Sequence, residues 1–490
     1  MRVLVLNPPD ENKISEAPDS FGKEYIESDD FGYFPPLGAL YVLSYLEKNS
    51  EGHDLFFKDC VAEHLSFNDL RAYVEDVQPD IVGITSFTIS LLDVILAART
   101  VREVVPDAHI CLGGHHPIAF PFESAQLKEF DTIIVGEGEV AFTELVDAIE
   151  KGKDYTSIWG VYTEKSVQKY LNVEMKRDKR FLHKIKVPPA YIPDIDSIPA
   201  PNREYIKHIN YQSVVGVTSK LATLLSSRGC PYKCTFCDVP LKEHRQRDAI
   251  LVIDEVEECL KMGYEEIHFY DDLFNIYPER IIEICDEIDR RGLKFHWDFR
   301  GRVNTVTYES LRRFKQSGGR MISFGIETGS DEGLRVLRKG NKAEQNRQAL
   351  EWCRELGIVT IADYMIGLPF ETSKEDIKEN VNTLIGYDPD YAQFGVLSLY
   401  PNTEVYDQAV EKGLIEDGDR WHKWASNPTP DFEVDHWNEF VSPKELVDIQ
   451  KWSYRKFYFR PKAVARSVFQ TRSFYEFKTK AKGALKVLGA

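Results

Sequence analysis

Two series of short apolar runs alternate with amphipathic stretches along the chain. In the first series, apolar runs such as RVLVLN and DIVGITS precede stretches in which apolar residues recur at helical spacing. Strands that read as continuous apolar runs between helices indicate a parallel sheet covered on both faces. We therefore expect residues 1–150 to form an α/β domain with a doubly wound, Rossmann-like parallel sheet.

The second series begins at residue 221 and repeats a strand and a helix six times. Its strands are expected in LATLLSS, EIHFYDD, KFHWDFRGR, MISFGIE, VTIADYMIG and YAQFGVLSL. Six such repeats predict an open, partial (β/α)6 barrel of the TIM type over residues 216–420, with function at the carboxyl ends of the strands.

The segments around this barrel have a different composition. Residues 151–215 lose the periodicity and gather prolines, which is typical of a linker. Residues 421–490 are expected to form a helical, basic tail. Residues 451–490 alone contain 11 lysines and arginines against one glutamate, so this tail is +10 and the rest of the chain −28.

Charge and cysteine usage narrow the range of functions. The net charge of −18 disfavours a nucleic-acid partner, because most of the surface would repel phosphates. Five of the 8 cysteines lie apart in apolar or helical contexts, which is typical of a reducing, cytoplasmic environment. The N-terminal apolar run is too short for a signal peptide or a membrane anchor.

The other three cysteines, Cys230, Cys234 and Cys237, form a CxxxCxxC motif directly after a predicted strand. Three thiolates on one tight loop can share one inorganic cluster. Zinc sites and complete ferredoxin-type clusters use four protein ligands, and no second CxxC or CxxH pair is present. Either a fourth ligand comes from elsewhere or one iron is left open; a zinc knuckle or a coincidental group of thiols is the alternative.

This spacing, with the aromatic Phe236 before the last cysteine, resembles the radical S-adenosylmethionine (SAM) enzymes. The resemblance implies that the three cysteines hold a 4Fe-4S cluster whose open iron binds the methionine end of SAM. An electron from an external donor such as flavodoxin or ferredoxin would then cleave SAM to methionine and a 5′-deoxyadenosyl radical, with the hard chemistry supplied by the cofactor.

The same resemblance implies roles for residues at the carboxyl ends of the later strands. Phe236 would flank the adenine, and Asp271 or Asp272 would hold the amine of SAM, although the glycine-rich motif usual at that place is missing and a helix cap or a solvated pair is the alternative. Arg300 and Arg302 would face the carboxylate or the ribose of SAM, with one of the two directed to solvent or to an ion pair. Glu327 would bind the ribose, and Gly367 and Pro369 would form the turn that packs against the adenine.

The front domain resembles the cobalamin-binding domain of the cobalamin-dependent radical SAM enzymes. Its glycine-rich and hydroxyl-bearing loops follow the strands, and we expect the cofactor-binding residues there to be Thr85, Ser86, Gly113, Gly114, Gly136, Glu137 and Gly138. The DxHxxG pattern is absent, so bound cobalamin would lack that histidine ligand. His115 and His116 are candidate substitutes, but a hydrogen-bonding role within the loop is the stronger interpretation.

The resemblance implies methylation of an unactivated carbon, in which one SAM supplies the methyl group and a second supplies the radical. A radical cyclase or oxidase with the same cluster is the alternative, and a ligand sensor with a structural cluster is a weaker one. The basic, aromatic tail is typical of segments that lie on anionic membranes, which would place the protein at the inner face of the membrane and favour a hydrophobic or lipid-like substrate. Docking of the tail on the acidic barrel is the competing interpretation. Tyr400, Trp421, His422 and Trp424 suggest an aromatic-lined mouth, which ordinary packing would explain equally well.

Overall fold

A computed structural model of the chain describes residues 1–14, 32–171, 184–213, 215–415 and 418–470. The described residues form two compact units. The first comprises 1–14, 34–171, 184–210, 415 and 418–433, and the second comprises 32–33, 211–213, 215–414 and 434–470. The last twenty residues of the predicted basic tail, 471–490, lie outside the described part.

The strands, in chain order, are β1 (Arg2–Asn7), β2 (Gly32–Tyr33), β3 (Asp54–Asp59), β4 (Ile81–Ser86), β5 (His109–Gly114), β6 (Thr132–Ile134), β7 (Val161–Tyr162), β8 (Gln212–Ser213), β9 (Leu221–Leu224), β10 (Ser227–Arg228), β11 (Arg245–Gln246), β12 (Glu266–Phe269), β13 (His296–Gly301), β14 (Gly319–Glu327), β15 (Val359–Ile366) and β16 (Tyr391–Val396).

The helices, in chain order, are α1 (Leu37–Asn49), α2 (Phe67–Val77), α3 (Leu91–Val104), α4 (His115–Ala119), α5 (Pro121–Ser124), α6 (Gly138–Glu150), α7 (Glu164–Val167), α8 (Ala249–Lys261), α9 (Pro278–Arg291), α10 (Tyr308–Gln316), α11 (Asp331–Val336), α12 (Ala343–Leu356), α13 (Lys374–Tyr387), α14 (Glu404–Glu411), α15 (Arg420–Ser426), α16 (Pro443–Tyr458) and α17 (Pro461–Gln470).

The first unit is built on a six-stranded sheet in the order β3-β1-β4-β5-β6-β7. The first five strands are parallel, and β7 is antiparallel to β6. The strand order reverses between β1 and β4, and ligands of such sheets bind outside the carboxyl ends of the strands near that point. The doubly wound sheet predicted from the apolar runs is confirmed.

The second unit is built on a six-stranded, fully parallel sheet in the order β16-β15-β14-β13-β12-β9. Each strand therefore lies beside the next one along the chain, as an open barrel requires. Outward-facing residues of these strands form a core beneath the helices, with Trp297, Phe299 and Phe314 in mutual ring contact. The predicted partial barrel is confirmed, although β12 ends at Phe269, before the aspartates that the sequence assigned to its end.

Helix α16 covers the free edge of this sheet at β16. The Gln450 amide donates to the carbonyl of Phe394 at 2.8 Å, and the Tyr454 hydroxyl accepts from the backbone N–H of Phe394 at 3.2 Å. The Tyr458 hydroxyl accepts from the N–H of Ala392 and donates to its carbonyl, at 3.1 and 2.9 Å. Side chains thus satisfy backbone groups that an edge strand otherwise leaves open.

The described part of the basic tail also docks by charge. Arg460, Lys462 and Arg466 of the α16–α17 region all lie within 3.4 Å of the carboxylate of Asp388, which follows α13. This agrees with the docking interpretation for these residues. None of the helices within the described residues is both long and apolar enough to cross a bilayer.

Part of the segment predicted as a linker is structured within the first unit. Val161–Tyr162 adds β7 to the sheet, and Ala190 forms backbone hydrogen bonds with Val135 and Glu137. Three of the four aromatic residues suggested as a mouth are packed instead, since Trp421, His422 and Trp424 are at most 4% exposed, whereas Tyr400 is half-buried. Trp421 lies in ring contact with Trp424 and Phe432, so packing explains them.

Candidate functional site

The cysteine motif lies on a loop that the short hairpin of β10 and β11 closes at its base. Cys230 donates its backbone N–H to Leu241 at 3.1 Å across this loop. Gly229 precedes it with φ +78°, and a Cβ at this position would lie 2.2 Å from the carbonyl oxygen of Glu243. Only glycine fits here without a shift of backbone, so the sequence SSRGC sets the turn that starts the cysteine loop.

The three cysteines of this loop are partly exposed, whereas the other five are buried, and all eight are thiols. Burial raises the pKa of Cys230 and of Cys237, so these thiols need a bound cation to become thiolates. Their sulfurs do not all lie within 4.8 Å of one another, unlike the two other candidate ligand groups in the described part of the chain. Three free thiols on one partly exposed loop fit an iron–sulfur cluster, whose irons are held by cysteine thiolates.

Arg302 contacts the cysteine loop directly. One guanidinium nitrogen lies 3.7 Å from the sulfur of Cys234, and the guanidinium carbon lies 3.8 Å from the ring centre of Tyr232. The side chain is only 5% exposed. A buried cation beside a cluster ligand stabilises the negative charge that thiolates bring, so Arg302 is placed at the cysteines, and its predicted contact with SAM stays a prediction.

The two aspartates after β12 occupy different environments. Asp271 is buried, and one of its carboxylate oxygens accepts from the Ser226 N–H, the Ser226 hydroxyl and the Ser227 hydroxyl at 2.9, 3.0 and 2.5 Å. Burial raises the pKa of Asp271 to about 6 against these hydrogen bonds. Asp271 thus anchors the strand that leads into the cysteine loop, while Asp272 is exposed and interacts electrostatically with Cys230.

Glu327 forms a buried pair with Lys339, whose ammonium lies 2.5 Å from the carboxylate. The same ammonium lies 5.9 Å from the ring centre of Phe236, between two of the cysteines in sequence. Glu327 has φ +62°, a conformation that costs a side-chain-bearing residue on the order of 1–3 kcal/mol and is retained mainly at functional sites. The sequence assigned Glu327 to the ribose and Phe236 to the adenine separately. In the structure the ammonium of Lys339 lies near both side chains, and sequence reasoning missed this lysine.

The turn at Gly367 and Pro369 is held by another residue that sequence reasoning missed. The buried carboxylate of Glu371 accepts from the N–H groups of Gly367 and Leu368 at 2.8 and 2.9 Å, and from the Asn380 amide at 3.0 Å. Burial raises the pKa of Glu371 to about 7. The available signal was the glutamate four residues after the glycine in GLPFE, because a carboxylate at that spacing can reach back to turn amides.

Arg300 lies on β13, two residues before Arg302, which follows the end of that strand, and it faces the inside of the barrel. Its guanidinium carbon is 5.3 Å from the ring centre of Tyr270, and the side chain is exposed to solvent. Two residues of a strand span about 6.6 Å, so Arg300 belongs to a deeper level than the residue that touches the cysteines.

In the first unit, the predicted loops after β4 and β5 lie side by side. The Ser86 hydroxyl donates to the carbonyl of Gly113 at 2.7 Å. Gly114 has φ +90°, and a Cβ there would lie 2.5 Å from the backbone of Ser86 and 3.0 Å from the hydroxyl of Thr85. The structure thus brings these four residues together at the carboxyl edge of the sheet, and their contact with a cofactor stays a prediction.

The third predicted loop of this unit has a different neighbour. Gly136 has φ +103° because the backbone of Ala190 approaches it, where a Cβ would lie 2.3 Å from the Ala190 carbonyl oxygen. The Glu137 carboxylate accepts from the N–H of Ile192 at 2.6 Å, and Gly138 begins α6. Residues 188–192 cover this loop. The backbone that approaches Gly136 closely is therefore that of the protein itself and not a ligand.

The two candidate histidines have different environments, and that of His116 is not one of an open metal ligand. His116 is fully buried, and one ring nitrogen lies 3.2 Å from the Thr88 hydroxyl. Burial lowers the pKa of His116 to about 3. His115 stacks on the exposed ring of Phe87, with centroids 6.3 Å apart. These contacts agree with a loop role for both.

Two protein-family models match the chain, one over the region of the cysteine loop and one over the region of the loops after β4 and β5. Residues 224–384 match the Radical SAM superfamily, and residues 30–146 match the B12 binding domain. An uncharacterized methyltransferase of Pyrococcus horikoshii is 29% identical over 99% of this chain and 98% of its own. The anaerobic magnesium-protoporphyrin IX monomethyl ester cyclase of Rubrivivax gelatinosus is 26% identical over 87% of this chain and 74% of its own.

Among solved structures, the radical SAM methyltransferase TsrM of Kitasatospora setae, with cobalamin and a 4Fe-4S cluster bound, matches with a TM-score of 0.70 at 16% identity. The match covers 99% of this chain and 98% of that one. At this identity the likeness shows the fold alone. The two family matches imply a 4Fe-4S cluster with SAM for the second unit and cobalamin for the first.

Proposed function

The chain is a radical SAM enzyme that carries a B12-binding domain ahead of its radical SAM domain, and we propose that it methylates an unactivated carbon of a hydrophobic or lipid-like substrate. The observation that carries this proposal is the presence of both domains in one chain. A radical source alone needs no corrinoid, whereas methyl transfer to an unactivated carbon needs both a radical and a methyl carrier. The relative that spans nearly the whole chain is named a methyltransferase, which supports the same function.

When bound, the cluster and SAM supply the 5′-deoxyadenosyl radical, and cobalamin supplies the methyl group. The residues of this chain would hold and orient these groups. Cys230, Cys234 and Cys237 would ligate the cluster, and Arg302 would balance their charge. Glu327 with Lys339, and the turn held by Glu371, would position SAM.

The hydrophobic character of the substrate is proposed from the tail. Phe459, directly after α16, and Val464, on α17, are 45% and 47% exposed, and Arg455 and Lys456 in the last turn of α16 are exposed too. Exposed aromatic and aliphatic groups among cations suit the interface of an anionic membrane. We propose that the enzyme works in the cytoplasm at the inner membrane face, where such a substrate would be available.

A radical cyclase or oxidase is the second candidate. The observation that favours it is the similarity to the Rubrivivax gelatinosus cyclase over 87% of this chain. It would use the same cysteines and SAM residues, so the site geometry is compatible with both.

Product analysis separates the two candidates. Anaerobically reconstituted enzyme is incubated with a reductant, methyl-deuterated SAM and a lipid extract of the source cells. Methyl transfer predicts S-adenosylhomocysteine together with 5′-deoxyadenosine, and a product that gains the label. A cyclase predicts 5′-deoxyadenosine and methionine only, with an unlabelled product, and this result would refute methyl transfer.

A further inference from the structure

A group of possible metal ligands lies at the amino edge of the sheet in the first unit. His53 is in the turn between α1 and β3, and Asp147 and Glu150 are in the last turn of α6. Within this group, called the His53 cluster below, one ligand atom of each residue lies within 4.8 Å of those of the other two. The strands run from this edge towards the loops after β4 and β5, so the His53 cluster is separate from the predicted cobalamin loops.

The imidazole of the His53 cluster is enclosed, while its two carboxylates lie at the surface. The side chain of His53 is only 1% exposed, whereas those of Asp147 and Glu150 are 34% and 36% exposed. The Ser50 hydroxyl lies 2.9 Å from Nε2 of His53 and donates to the Asp147 carboxylate at 2.5 Å. This hydroxyl holds the ring and one carboxylate together, and the exposed carboxylates give an ion from solvent access to them.

Negative charge in the His53 cluster is only partly compensated. Asp147 and Glu150 lie at the carboxyl end of α6, where the helix dipole favours cations, and the last turn of α6 contains no basic residue. Lys151 pairs with Asp147 at 2.6 Å, and this hydrogen bond lowers the pKa of Asp147. The amino group of Met1 lies 3.5 Å from Nδ1 of His53. Glu150 forms no ion pair with a lysine or arginine in the described part of the chain, so it can stabilise an added cation.

The second group of this kind in the described part of the chain differs in its charge. It consists of Glu266, His268 and Asp298 on β12 and β13, and all three side chains are buried. Arg320 pairs with Glu266 at 2.9 Å. Against the opposing effect of burial, Asp298 and Glu266 raise the pKa of His268. An arginine and a proton thus balance these two carboxylates, which leaves the His53 cluster as the one with charge available for a metal ion.

The donor atoms of the His53 cluster indicate which ion would bind. An imidazole nitrogen with carboxylate oxygens suits zinc and related divalent metals, whereas magnesium and calcium prefer oxygen ligands alone. Neighbouring nitrogen and oxygen ligands of a tetrahedral zinc ion lie about 3.3 Å apart. The ligand atoms start at most 4.8 Å apart, and rotation of the two exposed carboxylates can bring them to this spacing.

We propose that His53, Asp147 and Glu150 form a zinc site that joins the turn after α1 to the last turn of α6. One ring nitrogen and one oxygen of each carboxylate would occupy three coordination positions, with water in the fourth. Because these residues meet only in the folded chain, bound zinc would stabilise the first unit against unfolding. The site is independent of the radical chemistry and of methyl transfer.

The test is a calorimetric titration of zinc chloride into reconstituted holoenzyme, in which iron already occupies the cysteine loop. We expect the wild type to bind one zinc ion per chain at this site. Glu150→Gln, at an exposed position, should weaken binding at least about tenfold, a difference of about 1.4 kcal/mol, because it removes a charged ligand. His53→Gln should weaken binding at least as much. Lys151→Gln should strengthen it, because the lysine competes with zinc for Asp147.

The matched control is Glu144→Gln, at an exposed glutamate of the same helix, which changes the net charge equally and should bind zinc as the wild type does. Circular dichroism and iron content report whether each variant is folded and loaded, and Glu150→Gln decides the test if His53→Gln does not fold. Zinc should raise the midpoint of thermal unfolding of the wild type and of Glu144→Gln, but not that of Glu150→Gln. Wild-type affinity in Glu150→Gln, equal loss in Glu144→Gln, or binding only at millimolar zinc overturns the proposal.

Discussion

At the scale of single residues, the cysteine loop is stabilised by contacts that do not involve the thiols. Gly229 sets its entry, Asp271 anchors the preceding serines, and Arg302 lies against Cys234. A loop held in this way presents its cysteines before the cluster arrives, which lowers the entropic cost of assembling it.

Replacement of Cys234 by alanine should reduce bound iron to near background and lower the rate of SAM cleavage by more than about a hundredfold, because two ligands cannot retain the cluster. Iron content and 5′-deoxyadenosine release measure these effects. Cys353→Ala, at a buried cysteine of α12, is the control and should keep both. Persistent cleavage in the Cys234 variant would show that the cluster lies elsewhere.

Glu371 should make stability depend on pH near neutrality. Its pKa is about 7 in the folded protein and 4.5 as the ordinary value, so the folded state binds more protons between these limits. Stability from this group is therefore present at low pH and is lost as pH rises through 7. From pH 6 to pH 8 the wild type should lose roughly 1 kcal/mol of unfolding free energy more than Glu371→Gln. Parallel urea titrations of both proteins measure this, and identical pH dependence would contradict the assignment.

Motif residues could be placed from sequence, and their supporting residues could not. The three cysteines are identified by spacing, and Glu327 by its position after an apolar strand. Lys339 and Glu371 act through contacts that depend on how distant strands and turns meet. No local pattern separates a buried, paired lysine from one on the surface, so these contacts required the folded chain.

At the scale of elements, α16 acts as a substitute neighbour for the edge strand β16. Tyr454→Phe removes the hydroxyl that accepts from Phe394 and leaves a buried N–H unpaired, which should cost about 1–3 kcal/mol. Hydrogen exchange at β16 should accelerate accordingly. Tyr308→Phe, at a tyrosine 41% exposed on α10, is the control and should change nothing in β16. Unchanged exchange in the Tyr454 variant would exclude an edge-capping role.

The period of the apolar positions predicted the type and order of these elements, but not all of their ends. The strand expected through Asp272 stops at Phe269, because Asp271 turns its carboxylate to Ser226 and Ser227. The edge contacts of α16 join residues about 60 positions apart in sequence, and composition alone showed only a basic, aromatic segment.

At the scale of the whole molecule, charge is divided between an acidic body and a basic tail. Part of the tail's positive charge is neutralised within the second unit, where Arg460, Lys462 and Arg466 form ion pairs with Asp388. Exposed Arg455 and Lys456 remain on the outer surface beside Phe459. Their charge is available for an anionic surface.

The full chain should therefore bind phosphatidylglycerol vesicles and not phosphatidylcholine vesicles in a flotation experiment. Arg455→Glu with Lys456→Glu should weaken binding at least about tenfold, since each cation near such a surface contributes about 1 kcal/mol. Lys153→Glu with Lys294→Glu changes the net charge equally and should have little effect. If both double variants lose vesicle binding equally, net charge alone determines binding. If the wild type does not bind the vesicles, the membrane proposal is excluded.

Metal and corrinoid analysis of anaerobically purified protein, reconstituted with iron, sulfide and hydroxocobalamin, tests the central claim most directly. The account predicts roughly four irons and one corrinoid per chain, with the iron lost and the corrinoid kept in Cys234→Ala. Zinc in place of iron would contradict the cluster. Iron without corrinoid would contradict cobalamin-dependent methyl transfer and leave only the radical chemistry.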